Sequence, residues 1–291
     1  MKISVGILYS THDFLHVLAG STVEESRLSG LNERFRFADI ADIVKMCEIC
    51  KWMLPNEGGV CVLTERGCQI VSVGLNRDTL RLQLVDIIDN YQPTWATKIP
   101  AGRKEALASF SSDIAQIFKE ADLLEGVEES VVNWWDTAAT KLRNIRYEKN
   151  LEVGRKAEKR SMKFEEERTG QLPEWQAIES NYSGYDIKSK VGETDRTPLL
   201  IEVKGSSLKY KEAYFTVTRN EWSVAEKSAA YCFHLWILNE NETLLQVSKS
   251  DLEPHIPNDN SSGRWEQVRV PFRVFPYPLT VGQDPRAISE L

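Results

Sequence analysis

The densest apolar patterning falls in residues 38–53, where Ile40, Ile43, Val44, Met46, Cys47, Ile49 and Trp52 occupy most of a helical surface. A helix that is apolar nearly all round belongs inside a core. After Gly58-Gly59, Val60–Leu63 predicts a strand, followed by Thr64-Glu65-Arg66-Gly67 and a further helix-like apolar segment, Cys68–Val73. Residues 103–124 carry helical apolar spacing through Ile114, Ile117, Phe118 and Leu123 and end near Gly126. A second helix is predicted over about 128–146, with Val131, Val132, Trp135 and Leu142 on its apolar side. Further on, the unbroken run Leu199–Ile201 predicts a strand buried on both faces, and Tyr231–Leu238 predicts another. The tail offers two short strands, Gln267–Val270 and Phe272–Phe275, preceded by Pro254, Pro257 and the polar loop Asn258–Gly263.

The chemistry concentrates at the end of the Leu199–Ile201 strand. Glu202 and Lys204 follow it two residues apart, so both point to one side. Charges at the tip of a buried strand are costly unless they pair, bind a metal or face a cleft. Asp186, in Gly184-Tyr185-Asp186-Ile187 at a shorter strand-like segment upstream, supplies a second carboxylate. Two acids and a lysine converging at one strand end suit a magnesium-dependent phosphodiesterase site.

These residues resemble the PD-(D/E)XK nuclease superfamily, which sets an Asp on one strand and a Glu-x-Lys on the next. More narrowly, residues about 150–240 resemble the NO VEIN C-terminal domain family. Val153-Gly154-Arg155-Lys156-Ala157-Glu158 is similar to that family's opening helix, and Phe215-Thr216-Val217-Thr218-Arg219-Asn220-Glu221-Trp222 to its strand-to-helix passage. Gly184-Tyr185 stands where the superfamily carries proline, as in the narrower family. The resemblance implies an α/β domain, a restriction-endonuclease-like mixed sheet flanked by helices. Its elements would be a helix at 152–169, strands at about 174–179, 184–190, 198–204 and 213–217, a helix at 218–229 and a strand at 231–238. It also implies a DNA endonuclease using Mg²⁺, with Mn²⁺ able to substitute. Asp186 and Glu202 would hold the metal with the Val203 carbonyl, Lys204 would orient or deprotonate water, and Glu158 would hold a second metal or the outer shell. Lys209, Lys211, Arg219 and Asn220, flanking the site, would contact nucleic acid. The setting would be a restriction or anti-phage system. The alternative is a non-cleaving DNA-binding or protein-interaction subunit of such a complex.

The helix followed by a hairpin containing Leu63-Thr64-Glu65-Arg66-Gly67 resembles the second half of a winged helix, with Thr64 capping the next helix. Winged helices serve as DNA readers and as protein-docking modules, and both roles are open here. Cys47 and Cys50 have zinc-like spacing, but their apolar helical setting and the irregular Cys61 and Cys68 favour core cysteines. His12 and His16 share a helix face without a metalloprotease Glu and read as surface or partly buried residues, and His234 reads as structural.

At 291 residues the chain accommodates two domains: a mostly helical, winged-helix-like part over 1–125, a helical linker over 126–150, and the nuclease-like part over 151–291. No apolar run approaches the ~20 residues of a membrane span, no secretory leader is legible, and five cysteines form no disulfide framework, so a cytoplasmic protein is expected. The net charge of −7 disfavours a protein that coats nucleic acid non-specifically. Ten Lys and Arg residues between Lys141 and Arg168 read either as a basic face or as a solvated helix interleaved with Glu165, Glu166 and Glu167. Without a P-loop motif, any ATP-driven step falls to a partner. The partners implied are DNA, a second copy of the chain or a defence-system protein, and no membrane.

Overall fold

The computed structural model describes residues 3–21, 23–24, 35, 38–55, 59–179, 182–239, 242–259, 263–276 and 279–280. Gly58, ahead of the expected strand, and residues 260–262 of the expected loop lie outside them. The chain divides into two compact units, Met1–Tyr147 and Glu148–Leu291.

The first unit opens with α1 (Val5–Gly20), capped by Ser4, and β1 (Val23–Glu24). The apolar segment at 38–53 forms α2 only over Ile40–Ile49, capped by Asp39. Lys51 then takes a positive φ of 58°, and β2 (Met53–Pro55) begins. Pattern alone extended this helix too far, because Trp52 and Met53 stay buried after leaving it. β3 (Val60–Leu63) pairs antiparallel with both β1 and β2. Thr64 caps α3 (Glu65–Val73), its Oγ1 accepting the Gly67 N–H at 3.1 Å. α4 (Arg77–Asn90) follows, then a 3₁₀ stretch at Thr94–Ala101. The single helix expected over 103–124 is two, α5 (Arg103–Leu107) and α6 (Ser112–Glu120), because Ser111 starts a new helix by capping Ile114 N–H.

Several buried polar groups in this unit are tied down, whereas both ring nitrogens of His12, the Gln83 Oε1 and the Trp95 indole N–H have no hydrogen-bond partner among the described residues. The fully buried Trp52 donates its indole N–H to Asp86 at 2.7 Å, and Arg66 grips both oxygens of the same carboxylate at 2.8 and 2.9 Å. Cys47, Cys50 and Cys61 are buried, whereas Cys68 is exposed. His12, expected as a surface or partly buried residue, is 2 % exposed. Position i+4 from the exposed His16 does not decide burial when neighbouring elements cover one edge of the helix face.

Residues 129–169 form one continuous helix, α7 (Glu129–Thr169). The two helices expected at 128–146 and 152–169 merge because nothing in Tyr147-Glu148-Lys149-Asn150-Leu151 breaks the backbone pattern. Of the residues expected as a linker, Val131, Trp134, Trp135, Ala138 and Ala139 are buried in the first unit's core. The basic stretch reads as a solvated face. At least six of its ten cations pair with acids among the described residues: Lys141 with Asp89, Arg155 with Glu158, Lys156 and Arg160 with Glu242, Lys163 with Glu167, and Arg168 with Glu165.

The second unit continues through β4 (Glu174–Trp175), α8 (Gln176–Glu179), β5 (Ile187–Lys190) and β6 (Pro198–Ser206). β7 (Tyr214–Thr218), α9 (Arg219–Lys227), β8 (Tyr231–Ile237), β9 (Thr243–Ser248), α10 (Lys249–Leu252), β10 (Gln267–Pro271) and β11 (Leu279–Thr280) complete it. Six strands form a mixed sheet in the order β11-β9-β8-β6-β5-β4, and β7 pairs separately with β10. Only β6 and β8 run parallel within the larger sheet. The strand expected at 174–179 turns helical after two residues, and Phe272–Val274 is a 3₁₀ turn rather than a strand.

Alternation along β6 assigns its side chains to two layers. Ile201 and Val203 pack with Ala157 and Val153 of α7, whereas Leu200 joins the core under β7 and α9. Glu202 and Lys204 therefore emerge on the α9 side. Gly205 lets α7 approach: a Cβ there would meet the Val153 carbonyl oxygen at 2.9 Å and the Ala157 Cβ at 3.0 Å. Gly205→Val should cost about 1–3 kcal/mol by overpacking. Urea unfolding of the variant checks it, and an unchanged midpoint would refute this helix–strand contact.

Candidate active site

β6 is buried enough that its charged residues need partners, and they find them. Glu202 is 5 % exposed. Lys204 donates to Glu202 Oε1 at 2.7 Å and to Glu221 Oε1 at 2.9 Å. Glu221 sits in the first turn of α9 and closes a capping box: Oε2 accepts the Thr218 N–H at 2.8 Å, and Thr218 Oγ1 accepts the Glu221 N–H at 3.3 Å.

Asp186 is held against β6 from the segment preceding β5. Its backbone N–H donates to the Ile201 carbonyl at 2.9 Å, and its Oδ2 accepts the Val203 N–H at 2.8 Å. Because a residue's N–H and C=O point to the same strand edge, the Val203 carbonyl faces that side too. Gly184, two residues earlier, has φ +73° and lies so close to α9 that a Cβ would meet Val224 at 2.7 Å. Tyr231 donates its hydroxyl to the Gly184 carbonyl at 2.7 Å, which fixes the approach of the segment to Asp186.

Glu158 reaches the cluster from α7. Its Oε2 accepts the Trp175 indole N–H at 2.6 Å and pairs with Arg155 at 2.7 Å. Its charge is felt at Asp186, where it works against ionisation. Four carboxylates (Glu158, Asp186, Glu202 and Glu221) thus share two cations, Arg155 and Lys204, so negative charge is in excess. Burial chiefly, with Glu158 and Glu221 adding to it, pushes the Asp186 carboxyl up to about 6 despite the Val203 hydrogen bond and Lys204. Glu202 is also raised, by burial first and by Asp186 and Glu221 besides, with Lys204 opposing. For Lys204 burial acts downward, but Glu202 and Glu221 outweigh it, so the ammonium stays charged.

Among the described residues, no group of three or more His, Cys, Asp or Glu side chains forms a ready metal cage. Mg²⁺ does not require one, since it keeps several waters and is held through one or two carboxylates and substrate phosphate oxygens. Asp186, Glu202 and the Val203 carbonyl are hard oxygen donors in a cluster where carboxylates outnumber cations, and they fit such an ion.

The outer candidates differ. Lys209 and Lys211 are exposed in the loop after β6. Arg219 is committed to Asp259, with its guanidinium 5.3 Å from the Trp265 ring centroid, and Asn220 donates to the Tyr182 carbonyl at 3.2 Å. Glu221 escaped the sequence reading of the site. Its signal was the Thr218-x-x-Glu221 capping box, which explains the residue as a helix cap and hides its second partner. Across the sheet, the buried His234 Nδ1 lies 3.1 Å from Ser161 Oγ and is lowered to about 4 by burial, in keeping with a structural role.

Residues 157–247 match the family described as Protein NO VEIN, C-terminal. The match covers roughly a third of the chain and spans Glu158, Asp186, Glu202, Lys204 and Glu221. No curated protein and no solved structure is significantly similar to the chain. Among the described residues no helix is long and apolar enough to cross a membrane.

A carboxyl raised on folding binds more protons folded than unfolded between about pH 4 and 6, so its contribution to stability falls as pH rises through that window. Asp186→Asn should flatten the stability profile there and stabilise the metal-free protein at pH 7 by at most about 3 kcal/mol. Urea unfolding in EDTA across this range tests it, and a variant less stable at pH 7 with an unflattened profile would contradict the charge excess.

Proposed function

We propose that the chain is a metal-dependent deoxyribonuclease that hydrolyses phosphodiester bonds through Asp186, Glu202 and Lys204, with Glu158 in support. The observation that carries this reading is the convergence of two desolvated carboxylates and a charged lysine where Asp186 meets β6. Carboxylates outnumber cations here and burial raises both Asp186 and Glu202, so a divalent cation would relieve the strain that protonation otherwise relieves. Asp186, Glu202 and the Val203 carbonyl would hold Mg²⁺ or Mn²⁺. Magnesium, when bound, would neutralise the scissile phosphate and make water a better nucleophile at neutral pH. Lys204, kept cationic by its two carboxylates, serves as an electrostatic stabiliser of charge building on the phosphate rather than as a base. Glu158, held by Trp175 and Arg155, orients the site from outside. Exposed Lys209 and Lys211 supply backbone phosphate contacts, which add affinity without sequence information.

The first unit has a separate part in this reading, as a winged-helix-like module that selects where the second acts. Leu54 and Val62 face each other in register across β2 and β3 and are 53 % and 47 % exposed, which suits docking to a protein. That patch also favours a second reading, an interaction subunit of a restriction or anti-phage complex that acts only when assembled.

Supercoiled plasmid with Mg²⁺ separates the readings. Wild-type protein should nick or linearise it, and Lys204→Ala should lose about 10²–10³-fold in rate, the scale of removing one electrostatic donor from a reacting centre. Equal cutting by both proteins would exclude this site, and cutting that appears only with a co-purifying partner would favour the second reading. A graded series is expected as well. Glu202→Gln should abolish Mg²⁺ binding in calorimetry, whereas Glu158→Gln should weaken binding or activity by about 10–100-fold, as for a group that orients ligands. Wild-type affinity in Glu202→Gln would refute its role as a ligand.

A further inference from the structure

We infer that Glu221 is a positioning residue that clamps Lys204 through one carboxylate oxygen while the other caps α9, so that the helix and the reacting lysine form one mechanical unit. The inference deepens the proposed nuclease reading and rests on it for the catalytic consequence, though the clamp itself is a matter of geometry.

A capping-box glutamate normally needs only the oxygen that reaches the cap residue's N–H. Here Oε2 fills that role, accepting the Thr218 N–H at 2.8 Å. Oε1 is turned to the Lys204 Nζ, 2.9 Å away, and the pair is largely withdrawn from water, with side-chain exposures of 14 % and 19 %. Lys204 divides its donors between Glu221 and Glu202. Those two carboxylates are not equivalent. Glu202 belongs to the set that would hold a divalent cation, and a carboxylate drawn to a cation holds the lysine less well. Glu221 has no such competing duty, and the cap fixes its rotamer. It therefore keeps the ammonium aimed at the site whether or not Glu202 is engaged. A long, flexible side chain such as lysine gains most from a fixed partner, because misplacement of a reacting group by an ångström can cost about a hundredfold in rate.

Glu221→Gln separates the clamp from the cap. Glutamine at this position of a capping box still accepts the N-cap N–H, but its amide nitrogen then faces an ammonium that it cannot hold. The full-length variant should keep its Tm within about 2 °C and its KM for plasmid within about twofold, and lose about 10–100-fold in kcat with Mg²⁺. Acylation of Lys204 at one fixed pH, read by mass spectrometry, should rise at least about fivefold over wild type as the amine loses one of its two carboxylate partners. Glu221→Ala should show the same loss of kcat together with a Tm lower by several degrees, because it also removes the cap. Wild-type labelling of Lys204 in Glu221→Gln overturns the clamp. Raised labelling with wild-type kcat overturns the positioning role. If wild-type protein fails to cut plasmid, the nuclease reading falls, and the labelling comparison still decides the clamp.

Discussion

The second unit depends on the burial of two opposite charges, Glu202 and Lys204, in the C-terminal half of a strand whose neighbours are apolar. Each charge out of water must be matched, and the matching dictates what lies around it. Asp186 is anchored to the β6 backbone, and α9 starts where its capping glutamate can reach Lys204. Segments distant in sequence are thereby brought together by the demands of a few buried groups. The remaining imbalance, more carboxylates than cations, is the property that makes the place chemically distinctive.

The hydrophobic layers give that cluster its rigidity. Ile201 and Val203 lock β6 to α7 on one face, and Phe215, Val217, Trp222 and Phe233 fill the core on the other. Gly205 and Gly184 are the points of closest approach, the first admitting α7 and the second admitting α9. With both helices held this near, Glu158 and Glu221 arrive from opposite layers at one strand. The sheet thus acts as a scaffold on which a charge arrangement is fixed by packing.

The first unit follows a different logic, with polar groups placed to hold its core together rather than to leave charge exposed. Asp86 is the shared acceptor of Trp52 and Arg66, and Arg81 is bound by backbone carbonyls at Ala121 and Asp122. These groups are satisfied internally. The cluster of the second unit differs in holding more carboxylates than cations.

The chain's sequence by itself determined the local elements and the chemically important strand. The apolar run before Glu202, the alternation that sets Glu202 and Lys204 on one side, the Thr64 cap and the family match over residues 157–247 all depend on near neighbours or on short motifs. Helix ends were less legible. Burial of Trp52 and Met53 beyond α2 looks like helix in a pattern, and the continuity of α7 depends on the absence of any breaker. Only the tertiary structure decided which distant groups meet: that Glu158 accepts from Trp175, that Arg219 is taken by Asp259, and that Glu221 serves Lys204 as well as its own helix. The reason is that these partners come from other elements, 17 to 40 residues away, and strand order and helix approach, not local periodicity, bring them together.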